Sequence, residues 1–172
     1  MTFWKRLFGG GDALVAPLRP LYAALVAAAR QPDWYRTGAV PDTADGRFDM
    51  LSSLVALALL RLEAAGAPGR EPAARLAELF IADMDAQLRE RGVGDLMVGK
   101  HVGRMMSQLG GRMEAFRAGL GDGDLAGAVA RNIHRGAAVP PEASLWVAAR
   151  LQAIMAGLDR QTLAGLLAGR LE

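Results

Sequence analysis

Apolar positions recur along most of this chain at the three- and four-residue spacings of amphipathic helices, and proline and glycine punctuate them. The first such pattern predicts a helix from about Leu18 to Arg30, with Pro17 and Pro20 confined to its start and Pro32 limiting its end. Asp33 to Asp45 reads as a loop holding Trp34, Tyr35, Gly38 and Pro41. A second helix opens at Asp45, a good N-cap, and continues to about Ala65. Leu51, Leu54, Val55, Leu57, Leu59, Leu60 and Leu62 make it apolar nearly all round, which predicts the central buried helix.

Gly66-Ala67-Pro68-Gly69 breaks the chain before a third helix, about Pro72 to Arg91, with Leu76, Leu79, Phe80, Met84 and Leu88 on one stripe. Gly92-Val93-Gly94-Asp95 turns into a fourth, about Val98 to Leu120, whose stripe is Val102, Met105, Leu109, Met113 and Phe116. Gly110-Gly111 in its middle predicts a kink or a close helix crossing, because each glycine costs about 1 kcal/mol against alanine. Asp122-Gly123-Asp124 caps a short fifth helix reaching about Arg135. Pro140-Pro141 starts a sixth, with Leu145, Val147, Leu151, Ile154 and Leu158 inward, and Gln161 to Leu171 closes the chain. With no convincing strand and no internal repeat, the expectation is an all-α fold: an irregular bundle of six to seven helices over residues 13–172 as a single domain.

Composition agrees, since alanine and leucine carry most of the 52% hydrophobic content and aromatics are only 6%. The net charge of +2 comes from 20 basic and 18 acidic residues with no basic cluster, so DNA binding is not expected. Zero cysteines exclude disulfides, thiol catalysis and cysteine-ligated metals. The longest apolar run, Leu54 to Leu60, is far below the roughly 20 residues of a membrane helix. Gly9-Gly10-Gly11-Asp12 interrupts what would be a signal-peptide core, which places the protein in the cytoplasm.

Residues 1–12 form a unit of their own, with Phe3, Trp4, Leu7 and Phe8 at i, i+4 spacings and Lys5 and Arg6 between them. On a helix these make an apolar stripe flanked by cations, suited to reversible peripheral contact with a membrane. Packing of Trp4 and Phe8 onto the domain itself is the alternative.

Catalytic chemistry is hard to find. Ser52 and Ser53 lie in the apolar helix without a nucleophile context, and His101 and His134 belong to no ligand-spaced pair. Asp42, Asp45 and Asp49 lack the alternating oxygens of a calcium loop; capping accounts for Asp45, and Asp49 suits the helix dipole. Arg47 is a partner for one of these carboxylates. Asp85 and Arg89 form an i, i+4 pair, while Asp83, at the edge of the core, needs a partner such as Lys100, Arg104 or a backbone amide. Met50, Met84, Met97, Met105, Met106, Met113 and Met155 fall mostly on inward stripes, as core packing or as an adaptable surface for apolar clients. No enzyme, metal or cofactor is expected.

Two blocks are more particular than generic helix or loop. Gly38-Ala39-Val40-Pro41-Asp42-Thr43-Ala44-Asp45-Gly46-Arg47-Phe48-Asp49-Met50-Leu51 resembles the signature of the ubiquinol–cytochrome c chaperone family. Asp83-Met84-Asp85-x-x-Leu88-Arg89-Glu90-x-Gly92-Val93-Gly94-Asp95 resembles that family's second block. Further agreement lies in Tyr22-x-x-Leu25-Val26-x-x-Ala29-Arg30-x-Pro32-x-Trp34-Tyr35 and in Val98-Gly99-Lys100-x-Val102. The chain departs from the family pattern at Leu109-Gly110, where an aromatic pair usually precedes Gly111-Arg112, and at Ser52-Ser53-Leu54, where a histidine is usual. The resemblance implies an all-helical, non-enzymatic assembly factor that binds newly made cytochrome b and supports assembly of ubiquinol–cytochrome c reductase. It implies a second assembly factor or the ribosome as further partners. On this reading Val40, Pro41, Asp42, Asp45 and Arg47, with Asp83, Asp85, Arg89, Asp95 and Lys100, form the partner-binding surface, and Phe3, Trp4, Lys5, Arg6, Leu7 and Phe8 touch the membrane. The competing expectations are a helical carrier holding a quinone or lipid in a closed apolar cavity, and a purely structural interaction module.

Overall fold

The computed structural model describes residues 16–90, 92 and 94–172. A 3-10 turn, Ala16–Leu18, leads into α1 (Arg19–Ala29), then α2 (Asp33–Arg36), α3 (Ala44–Ala64), α4 (Ala67–Glu90), α5 (Asp95–Asp122), α6 (Leu125–Asn132), α7 (Pro141–Arg160) and α8 (Leu163–Leu167). Among the described residues six of these helices have eight residues or more and there is no strand, as the sequence pattern predicts.

The bundle is organised around α3, which packs against α1, α4, α5 and α7. Every residue from Asp49 to Leu60 is buried, because a helix apolar on all sides can be satisfied only by neighbours on all sides. Leu21 and Leu25 of α1, Leu76, Phe80 and Met84 of α4, Leu109 and Phe116 of α5, and Val147, Leu151 and Leu158 of α7 close around it into one buried cluster.

Several local expectations are corrected. The segment predicted as loop holds the one-turn helix α2, because Trp34 Nε1 and Tyr35 Oη donate at 2.8 Å to the Ala28 and Ala29 carbonyls. These side chains satisfy carbonyls that the end of α1 leaves without helical partners. The N-cap of α3 is Thr43, whose Oγ1 accepts from the Gly46 amide at 3.1 Å; Asp45 lies in the first turn instead. Gly46 is required here, because a Cβ would collide with the Pro41 carbonyl. α4 begins at Ala67, so Pro72 stands inside the helix rather than opening it. Gly110 and Gly111 are exposed, and a Cβ on either would meet nothing within 4 Å, so no helix crosses there. Leu145 is 61% exposed rather than inward. It lies only two residues from Val147, which puts it on the far side of α7 from the Val147–Leu151–Leu158 stripe.

Candidate functional site

The polar feature at the centre of the molecule is built on Asp49, one turn into α3 and 2% exposed. Arg112 of α5 donates from one terminal nitrogen to Asp49 Oδ1 at 2.8 Å and to the Asn132 carbonyl at 2.6 Å. Its other terminal nitrogen donates to the Asp49 carbonyl at 3.1 Å. Arg135, after α6, donates to Asp49 Oδ2 at 2.6 Å and to Oδ1 at 3.1 Å. Ser53 Oγ donates to the Asp49 carbonyl at 2.6 Å. One carboxylate thus joins three segments far apart in sequence. Burial pulls the Arg112 pKa down, opposed by the charge and hydrogen bond of Asp49, whereas the bond to Asp49 raises that of Arg135. Asp49 is therefore the anchor of a buried cluster, not only a complement to the helix dipole.

His134 is also structural. It is 1% exposed, with Nε2 at 2.8 Å from the Gly38 carbonyl and Nδ1 at 3.0 Å from Ser144 Oγ. That geometry fits a tautomer donating from Nε2 and accepting at Nδ1, which leaves neither nitrogen for a ligand.

On the outer side of this cluster lies a partly open cleft of about 450 Å³, walled by the end of α1, the first turns of α3, the last turns of α4 and the first half of α5. Its apolar lining includes Val26, Phe48, Leu51, Met84, Leu88 and Met105. Phe48 stacks on Phe80 beneath it with ring centroids 6.0 Å apart. Its polar lining is Arg30, Tyr35, Asp45, Arg47, Asp83, Gln87, His101, Arg104, Gln108 and Arg135.

Asp83 does find a partner, though not one on α5 or a backbone amide: Tyr22 Oη of α1 donates to Asp83 Oδ2 at 2.6 Å. Burial, then this bond and the carboxylate's charge, raise the Tyr22 pKa well above that of a free tyrosine. Burial also raises Tyr35. Arg47 pairs with Asp42 at 2.8 Å on the exposed rim, and Arg135 reaches Asp45 at 3.6 Å.

Of the residues expected to bind a partner, the cleft brings together Asp45, Arg47 and Asp83, from both signature-like blocks. Pro41 and Asp42 are exposed beside it. Val40 is 2% exposed, so its side chain belongs to the core rather than to a contact surface. Asp85 and Arg89 form the expected i, i+4 pair at 2.8 Å but do not line the cleft, and neither does the exposed Lys100. The side chain of Asp95 and the membrane-contact residues Phe3, Trp4, Lys5, Arg6, Leu7 and Phe8 lie outside the described residues.

Sequence reasoning missed Arg30, Tyr35, His101, Arg104, Gln108 and Arg135 as cleft residues. A signal existed on α5, where His101, Arg104, Met105 and Gln108 follow i, i+3, i+4, i+7 spacing and so share a mixed polar and apolar face. Among the described residues no group of acidic residues and histidines is arranged to hold a metal, and no helix is long and apolar enough to cross a membrane.

Comparison with known proteins follows the same lines. The chain is similar to the Cbp3 homolog from Brucella abortus, whose crystal structure superposes with a TM-score of 0.78 at 32% identity, covering 98% of this chain and 93% of that one. No curated protein matches. The family model described as Ubiquinol-cytochrome C chaperone matches residues 36–172, which include both signature-like blocks and the α3, α4 and α5 walls of the cleft. With that match, and with an all-helical fold shared with a Cbp3 homolog, this chain belongs to the ubiquinol–cytochrome c chaperone family.

Proposed function

We propose that this chain is a non-enzymatic assembly factor that holds newly made cytochrome b during assembly of ubiquinol–cytochrome c reductase, and that the cleft is where it does so. The observation that carries this is the meeting of the two signature-like blocks in one cleft: Asp45 and Arg47 on one wall, Asp83 on another. Family membership supports a chaperone role, and loops and helix ends held by a rigid bundle are common binding surfaces. Apolar side chains such as Phe48, Met84 and Met105 suit a client that is itself a membrane protein, and methionine adapts to varied apolar partners. A carrier for quinone or lipid needs an enclosed apolar cavity. A partly open cleft carrying four arginines favours the client instead. On this proposal residues 1–12 hold the protein peripherally at the inner face of the membrane, and a second assembly factor or the ribosome takes part in handing over the client.

The test is a tagged pull-down of the full chain from solubilised membranes of the native host, with and without residues 1–12. Enrichment of cytochrome b, weakened by the truncation, is the expected result. Recovery of no respiratory-complex subunit with either form would sink the proposal.

A further inference from the structure

Charge is distributed unevenly in the cleft, and that imbalance says what kind of client segment it takes. Of its four arginines, Arg47 is paired with Asp42, and Arg135 is bound to Asp49. The side chains of Arg30, at the end of α1, and Arg104, on the cleft face of α5, make no hydrogen bond or ion pair with protein among the described residues. The cleft's two carboxylates pair with neither of these: Asp83 accepts from the neutral Tyr22 hydroxyl, and Asp45 lies 3.6 Å from Arg135. Two guanidiniums without a carboxylate partner therefore line the same cleft as Val26, Phe48 and Met84, with His101 one turn before Arg104 on the same helix face. Guanidinium forks bind carboxylates in paired, charge-assisted hydrogen bonds.

We infer that the cleft recognises a short client segment in which an aspartate or glutamate is flanked by apolar residues, with Arg30 and Arg104 gripping the carboxylate. This rests on the client-binding proposal above and specifies the chemistry of that same site. A volume of about 450 Å³ lies in the range of sites that enclose small ligands, so it suits a few side chains rather than a folded surface. A peptide is favoured over an anionic lipid because Gln87 and Gln108 also line the cleft. Their amides can pair with a peptide backbone, whereas an acyl chain would leave them without partners.

The experiment uses the full-length protein and short overlapping peptides spanning cytochrome b of the same organism, with binding read by fluorescence anisotropy. Bound peptides are expected to carry an acidic residue between apolar ones. Neutralising that residue in the tightest peptide should weaken binding by at least about tenfold, the effect of losing one charge-assisted pair. The double variant Arg30→Glu/Arg104→Glu, first shown by its melting temperature to remain folded, should lose these peptides and bind versions in which the acid is replaced by arginine. Peptide selection indifferent to acidic residues overturns the inference. So does binding of phosphatidylglycerol vesicles that is lost in Arg30→Gln/Arg104→Gln and is not displaced by peptides, which would make the occupant a lipid. The two proposals fail separately. If the wild-type chain recovers no cytochrome b from membranes, the client reading falls; if wild type and charge-reversed protein recover it equally, only the acidic-segment reading falls.

Discussion

Asp49 ties α3 to α5 and to the turn after α6, and among the described residues it alone gives Arg112 a carboxylate in the interior. Asp49→Ala leaves a guanidinium buried without its counter-charge, a change of the kind that costs roughly 3–5 kcal/mol. Urea denaturation should show that loss, and Asp49→Asn, which keeps an acceptor oxygen, should lose less. Tyr22 carries a pH signature. Its folded pKa is raised above the unfolded value, so above a pH of about 10 the unfolded chain sheds a proton that the folded chain keeps. Stability should therefore be unaffected by Tyr22 near neutrality and decline as pH rises past the ordinary tyrosine range. Tyr22→Phe should remove that share of the decline, leaving the part due to Tyr35. Chemical denaturation at a series of alkaline pH values checks this. Neither role was legible in the sequence. The partners of Asp49 lie 63 and 86 positions away, and Tyr22 lies 61 from Asp83, so a reading of local spacing could supply only a helix dipole for one and a neighbouring helix for the other.

Elements were more legible than side-chain partners. The apolar run of α3 announced its burial, and Asp124 caps α6 as expected, accepting from the Gly127 amide at 3.0 Å. Glycines were the weak point, since the same letter serves opposite purposes here. Gly46 sits under the Pro41 carbonyl and admits no Cβ, whereas Gly110 lies on an exposed face of α5. Gly46→Ala should destabilise by about 1–3 kcal/mol as the Pro41 loop is pushed outward. Gly110→Ala should stabilise by roughly 0.5–1 kcal/mol through helix propensity alone. Thermal melts of the two variants should move in opposite directions, and a gain from Gly46→Ala would contradict the packing described. Leu145 differs from expectation for another reason: size and apolarity predict an inward residue, but its position on α7 puts it opposite the stripe. Leu145→Ser should stay within about 0.5 kcal/mol of wild type in the same melts.

At the scale of the whole molecule, the helical architecture could be read from periodicity, while the cleft could not, because it exists only where α1, α3, α4 and α5 converge. The two signature-like blocks pointed to two of its walls. The α1 and α5 walls, with Arg30 and Arg104, emerge only from the packing. One corner of this arrangement is under tension. Arg135 adopts a φ of 52°, a left-handed backbone that a side-chain-bearing residue enters at a cost of about 1–2 kcal/mol, and Gly136 follows at 72°. The salt link to Asp49 is a latch on this corner, alongside the bond from the Gly136 amide to the Ala130 carbonyl at 3.0 Å. Release the latch, and the turn after α6 has reason to unwind, taking with it the Arg135 edge of the cleft; the shape of the cleft is thus set from inside the protein, by a clasp that an occupant of the cleft need not touch.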